Sequence, residues 1–528
     1  MHLFNSINTI MKKALFVFLF SVLSSLFLHA ELCPFQTFSM PVATFGEQTG
    51  HPFAINRVKD ILYSLPTEVV RNIDISSLKP THYYVRFMPS SREEMELIQL
   101  RKELNLYPYP LDCEITEGFV GINNPFLING FPQFWAIVPI DYIIDGIGCS
   151  VAIESELWCP SFLCESENAA KESILTKNME QLLYDIICNS VETDSTDNGS
   201  QRNTSSYYPL GYVRYQDDTF NSICGLQGME VEAYSFWNSY TGISNVNGYV
   251  SFGSNSFNGS FRFRLKFYRD DFSIKVEDST SDLEYVTDSG TNSLNVLFSG
   301  DYSKYSAAFY AAQRYYYQLL DIPRPPVSSF WLARLWIHVH PVDAHTQGWY
   351  GYYHTEFGVF LWINRPTIHV YGKDRDGLSI MSSGIYGTTI HELTHAMHYG
   401  IDSDLYYSIQ PRVKESLARG IELYLTTQRY PGYTVGYNIN RYTALMRDLT
   451  DGVKTVSCSY YYYDDTGSTP IEPMTYNDNV NGSYTYAELV EAIKTCTTPQ
   501  QWFSRTYSLY NRVIGPVLYA PFRFWFDL

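Results

Sequence analysis

Two histidines and a glutamate stand together at Ile390-His391-Glu392-Leu393-Thr394-His395, an H-E-x-x-H pattern. On a helix, residues four apart share one face about a turn from each other, so both imidazoles can reach a single metal ion. Neutral imidazole suits zinc, and a site with three protein ligands keeps a fourth position for a water whose pKa falls to about 7. Glu392 follows the first ligand and would face that water, acting as general base and then carrying the proton to a leaving amine. That is the chemistry of peptide-bond hydrolysis. Apolar Ile390, Leu393, Ala396 and Met397 give the helix a side to bury, and Gly400 offers a stop. A purely structural reading competes, because Thr389 to Glu392 also reads as a T-x-x-E capping box at a helix start.

The third ligand decides the class. The metzincin extension needs Gly at 398 and His at 401, and the chain has His398 and Ile401. Asp402 and Asp404 are acidic but out of register for an aspartate ligand. Residues 414–425, from Lys414 to Leu425, read as a second helix, with Glu415 and Ala418 in an E-x-x-A pattern. Here the sequence, from Ser383 to Tyr424, resembles the gluzincin metallopeptidases. The resemblance implies one Zn2+ per chain held by His391, His395 and Glu415, with Glu392 as the catalytic residue and Glu422 as the alternative third ligand. His398 lies about 10 Å along the axis from His391, too far for one ion, and belongs beside the ligands or in solvent. Such a site also needs a donor to the oxyanion of the tetrahedral intermediate; Tyr430, Tyr437, Arg441 and Tyr442 follow at suitable separations.

The elements that must position these residues precede them. Ser303 to Leu320 reads as a tyrosine-bearing helix, followed by strands at Trp331–His340, Phe357–Ile363 and Thr367–Tyr371. A sheet just before the H-E-x-x-H helix is the zincin arrangement, in which an edge strand pairs with extended substrate. His338, His340, His345 and His354 lie in or between those strands, as a second metal site or as ordinary surface and hydrogen-bonded histidines. Asp374-Arg375-Asp376-Gly377 lacks the later acceptors of a calcium loop and reads as a turn. Thr485–Thr495 reads as a closing helix.

The chain ahead of residue 296 reads as three further segments. Residues 1–30 have the form of a secretory signal peptide: Lys12-Lys13, an apolar run from Ala14 to Leu28, and Ala30 at the cleavage position, with a retained anchor as the alternative. Leu32 before Cys33 argues against a lipoprotein. Residues 31–200 alternate strand (81–89), helix (91–104), strand (134–140) and helix (169–188), an α+β module that is either a prosegment or an accessory domain; a polar linker covers 192–206. Residues 207–277 carry short alternating strands with Asn-Gly turns and resemble the carboxypeptidase regulatory-like, transthyretin-like β-sandwich modules; 277–300 reads as a polar connector.

The expected fold class is therefore α+β and multidomain: an N-terminal α+β module, a small transthyretin-like β-sandwich and a zincin-like metallopeptidase domain at 296–528. A formal charge of −18, or −20 without Lys12 and Lys13, argues against nucleic acid and anionic membranes as partners, and no later stretch is apolar enough to span a bilayer. Cys33, Cys113, Cys149, Cys159, Cys164, Cys188, Cys224, Cys458 and Cys496 form no C-x-x-C pair, and seven precede residue 225, so disulfides are expected in the N-terminal part. The functional expectation is a secreted or periplasmic, cell-surface bacterial zinc metallopeptidase acting on peptides or proteins. The alternative is a non-catalytic exported binding protein with a structural or decayed metal site.

Overall fold

The computed structural model describes residues 42–526 except 72–73, 123, 143–147, 162–174, 176, 193–206, 258–260, 289–292, 319–320, 326–333, 346–350, 359–362, 437–440, 451–456, 464–469, 478–479, 481–482 and 514. The leader at 1–30, most of the polar linker at 192–206 and Tyr437 lie outside the described residues. The fold is mixed α/β, with several separate sheets.

In the N-terminal segment, β1 (His82–Met88) sits between β3 (Phe134–Pro139) and β4 (Ser150–Leu157) in an antiparallel sheet. Helix α1 (Arg92–Gln99) starts at Ser91, whose hydroxyl accepts the Glu94 N–H at 3.2 Å. Its Met95 and Ile98 pack with Val85, Phe87, Phe134, Ala136 and Val138. The helix read at 169–188 begins later, as α2 (Lys177–Glu192).

The next segment forms two facing sheets. One runs antiparallel in the order β8 (Ser239–Ile243), β7 (Glu230–Tyr234), β10 (Arg262–Lys266), β12 (Glu284–Val286) and β2 (Gly118–Val120); the other centres on β5 (Leu210–Asp217), flanked by β6 (Ser222–Gly225) and β9 (Tyr249–Ser251), with β13 (Leu294–Phe298) paired parallel to it. Alternate residues point inward, so Val213, Tyr215, Val231, Ala233, Phe263, Leu265, Val296 and Phe298 share one core.

Two expectations are corrected here. Residues 277–300 are no mere connector, because they supply β12 and β13; β12 is buried along its length and β13 turns Leu294, Val296 and Phe298 inward. Their Ser-, Thr- and Asp-rich flanks masked strands of only three and five residues. Residues Phe272–Val276, read with the sandwich, form β11 and pair parallel with β14 (Leu335–Ala344) of the next sheet. A strand buried along its whole length suits a parallel sheet covered on both faces.

The sandwich sheet is completed by β2 from the N-terminal segment, where Phe119 stacks on Tyr302 at 4.3 Å. Gly121 follows at φ +101°, and a side chain there would meet the Asp282 carbonyl oxygen at 2.5 Å. Arg264, fully enclosed, joins the same segments: it donates to Glu232 at 3.0 Å, to the Leu106 carbonyl at 2.6 Å and to Asn105 at 3.2 Å, and lies 4.2 Å over the Tyr107 ring. Residues Met40–Leu528 accordingly cluster as one unit.

The sheet that carries the site has the order β11–β14–β16–β15, with β16 (Ile363–Lys373) parallel to β14 and β15 (Gly351–Gly358) antiparallel at the edge. Ile337, Val339, Ile368 and Val370 face α3 (Asp301–Tyr317) and α4 (Ser382–Ile401), and all lie in the main core. α4 is followed by the short α5 (Ser403–Tyr406), then α6 (Pro411–Arg429), which begins with Pro at its first position, and α7 (Leu445–Thr450). Helices α8 (Tyr486–Ile493) and α9 (Pro499–Tyr510), each opened by a capping box, and α10 (Gly515–Phe526) close the chain. Among the described residues no helix is long and apolar enough to cross a membrane. Cys113, Cys149, Cys224 and Cys496 are free thiols, so these four build no disulfide framework.

Candidate metal centre

α4 is buried on every side from Ile385 to Tyr399, and two of its threonines satisfy their hydroxyls within the helix. The Thr389 and Thr394 hydroxyls each donate to the carbonyl four residues back, both at 2.8 Å. Thr389 therefore lies inside the helix, which starts at Ser382, and the capping-box reading of Glu392 fails. Nor does Gly400 end it; Ile401 does, and Asp402 caps α5 through the Leu405 N–H at 3.0 Å.

The helix presents His391 and His395 to α6, where Glu415, Arg419 and Glu422 recur at one- and two-turn intervals on one face. His391 Nε2 and His395 Nε2 are 3.2 Å apart, and Glu415 Oε2 lies 3.1 Å from the first and 3.2 Å from the second. The three atoms make a nearly equilateral triangle. A tetrahedral ion with bonds of about 2.0–2.1 Å has ligand edges of about 3.3–3.4 Å, so the donor set fits such an ion with shifts of a few tenths of an ångström. His391, His395 and Glu415 thus form one group able to hold a metal ion.

Each donor is braced from behind. Glu422 Oε2 is 2.9 Å from His391 Nδ1, so Glu422 orients a ligand and is not in the triangle. It is held in turn by Arg419 at 2.8 Å and by the Tyr433 hydroxyl at 2.7 Å. With His395 Nε2 turned to the triangle, its Nδ1–H faces the Tyr406 hydroxyl at 3.3 Å. Arg441 donates to the outer oxygen of Glu415, with Nη2 at 3.1 Å.

The electrostatics follow this wiring. Burial alone would lower His391, but its contacts to Glu415 and Glu422 raise its pKa to about 9. Burial would raise Glu415, yet the imidazoles of His395 and His391 hold it well below the usual carboxylate range. Glu392, 5% exposed, is pushed upward chiefly by burial, with the two histidines opposing. It lies beneath the edge strand: a methyl group on Gly351 of β15 would come within 3.2 Å of Glu392 Cγ.

The remaining sequence candidates separate clearly. Tyr442 has its ring 5.9 Å from that of His391, and Arg419 and Arg441 both lie over it. Tyr430 is spent elsewhere, donating to Asp217 at 2.9 Å. His398 is buried against Tyr406 and outside the triangle, with burial driving its pKa down to about 3. Compared with known proteins, the chain matches no family model and no curated sequence. The reading of this centre therefore rests on its own geometry.

Sequence reasoning missed Tyr406 and Arg419. Arg419 could have been found from its place between Glu415 and Glu422 on one helix face; Tyr406 ends the four-residue α5 between α4 and α6, too short for periodicity to mark.

Proposed function

We propose that the chain is an exported zinc-dependent metallopeptidase of gluzincin type, with His391, His395 and Glu415 as the metal ligands and Glu392 as the general base. The observation that carries this is the 3.1–3.2 Å triangle of ligand atoms with a buried carboxylate on the same helix, one residue from the first histidine. Zinc, when bound, supplies a Lewis acid and brings the pKa of a water to about 7.

The chain's own residues do the rest. Glu392 holds the proton taken from water and hands it to the leaving amine; its raised pKa brings donor and acceptor roles closer to neutral pH. Glu422 and Tyr406 fix the ring planes of His391 and His395. Arg441, bonded to Glu415, and Tyr442, beside His391, are candidate donors to a developing oxyanion. The antiparallel edge strand β15 pairs with β16 alone among the described strands, which leaves its outer edge to align an extended peptide over Glu392. The facing sheets ahead of this region fit a carboxypeptidase regulatory-like module, and the catalytic sheet with α4 and α6 a zincin-like domain. The signal-like leader at 1–30 supports a secreted, periplasmic or cell-surface location.

Glu392→Gln tests the assignment. The variant should keep its fold and zinc while peptide turnover falls by about 10²–10⁴-fold. Retained zinc with unchanged turnover would overturn it.

A further inference from the structure

We propose that Asp278, His340 and His369 form a second site for a divalent transition-metal ion, on the face of the catalytic sheet opposite α4. Period-two alternation puts Trp336, His338 and His340 of β14 on that face, and the register pairs His338 with His369 and His340 with Tyr371 on β16. Tyr352 of β15, paired with His369, completes the row.

The rings form a stacked array that fixes where their nitrogens point. His369 lies between His338 and Tyr352, with centroids 4.6 and 4.5 Å away and planes within 10° and 5° of parallel. His340 stacks on Tyr371 at 4.5 Å. Rings held flat against one another can present nitrogens only at their edges, and here His340 Nε2 and His369 Nδ1 converge to 2.9 Å. Both histidines are 6% exposed.

The carboxylate comes from a turn built to deliver it. Glu277 sits at φ +45°, a left-handed conformation that a glutamate adopts at a cost. Its N–H donates to the Val339 carbonyl at 3.0 Å, and its own carbonyl accepts His338 Nδ1–H. The next side chain, Asp278, then reaches over both imidazoles, with Oδ1 4.0 Å from His340 Nε2 and 3.9 Å from His369 Nδ1.

Two imidazoles and one carboxylate favour Zn2+, Ni2+, Co2+ or Cu2+ over the harder Ca2+ and Mg2+. The nitrogen–nitrogen edge of 2.9 Å needs to open by only a few tenths of an ångström to reach the about 3.3–3.4 Å between ligands of a tetrahedral ion. Asp278 must swing inward by less than about 1 Å, and at 86% exposure its side chain is free to do so. Asp278 and His369 also line a cavity of about 380 Å³ with His338, Thr280, Tyr352 and Trp336, which provides an entry path and room for water ligands. The loop that carries Asp278 continues to Thr280, whose hydroxyl donates to the Gly130 carbonyl, so an ion here would also brace the N-terminal segment against the sheet.

Calorimetric titration of the metal-stripped full chain with Zn2+ tests this. The parent should bind two ions, and His340→Ala/His369→Ala one, with peptide hydrolysis retained. Asp278→Asn, an exposed substitution that leaves the core untouched, should weaken the same step at least tenfold and decides the matter if the double variant does not fold. A parent that binds no more ions than His340→Ala/His369→Ala, or an ion at this step held equally well by Asp278→Asn, would overturn the proposal, whereas one ion in the parent and none in the double variant would count against the first centre alone.

Discussion

At the scale of single residues, the centre is defined by which atom of each side chain faces inward. Both nitrogens of His391 meet carboxylates, Nε2 at Glu415 and Nδ1 at Glu422, and these contacts raise its pKa to about 9. A metal ion must displace the Nε2 proton. Below about pH 9 the proton is bound and competes, so zinc affinity should fall about tenfold for each pH unit of acidification from this group alone. Zinc-buffered titrations across neutral pH would measure that slope, and a flat profile would contradict the assignment. For folding without a bound ion the sign is opposite: the folded-state pKa lies above the ordinary 6.5, so the stabilisation is complete below about 6.5 and lost as pH rises through about 9. Glu422→Gln should weaken zinc binding by about 10–100-fold without removing a ligand.

At the scale of elements, the site depends on how closely the edge strand approaches the helix. A side chain at Gly351 would meet the His369 carbonyl oxygen and Thr388 Cγ2, each at 2.7 Å, as well as Glu392. Gly351→Ala should therefore destabilise the protein by about 1–3 kcal/mol and reduce turnover by displacing β15 from Glu392. Urea unfolding alongside a peptidase assay would show both effects, and a variant as stable and active as the parent would refute the packing argument. Much of this level was legible beforehand. The H-E-x-x-H spacing located α4, and the E-x-x-A pattern located Glu415 on α6. The roles of Thr389 and Glu422 were not legible. Thr389 satisfies its hydroxyl within the helix, and Glu422 becomes a bracing residue only because α6 crosses α4 so that Glu415 meets Nε2 and Glu422 meets Nδ1 of the same ring. His369 was overlooked because its strand was read without its partner: only the β14–β16 register brings T-I-H-V-Y beside W-I-H-V-H.

At the scale of the whole molecule, segments read as successive modules share sheets and buried charges. β2 and β11 each complete a sheet formed mainly by another part of the chain, and such long-range pairing leaves no periodic trace near either strand. Arg264 is the clearest tie, linking Glu232 to the backbone near Asn105. Arg264→Ala leaves the buried Glu232 with Lys266, at 3.3 Å, as its remaining cationic partner and should cost about 3 kcal/mol in chemical denaturation. Burial would raise Glu232, but Arg264 and Lys266 outweigh it and bring its pKa down to about 2. Its contribution is thus present above the ordinary value of 4.5 and lost as pH falls toward about 2, an acid-unfolding limb that should be smaller in the variant.

The most direct test of the central claim is zinc content by mass spectrometry on residues 31–528, saturated with zinc and desalted, for the parent, Glu415→Ala and Glu422→Ala. The triangle of His391, His395 and Glu415 predicts one zinc fewer per chain in Glu415→Ala than in the parent, and the parent's count in Glu422→Ala. Equal zinc in the parent and in Glu415→Ala would contradict it.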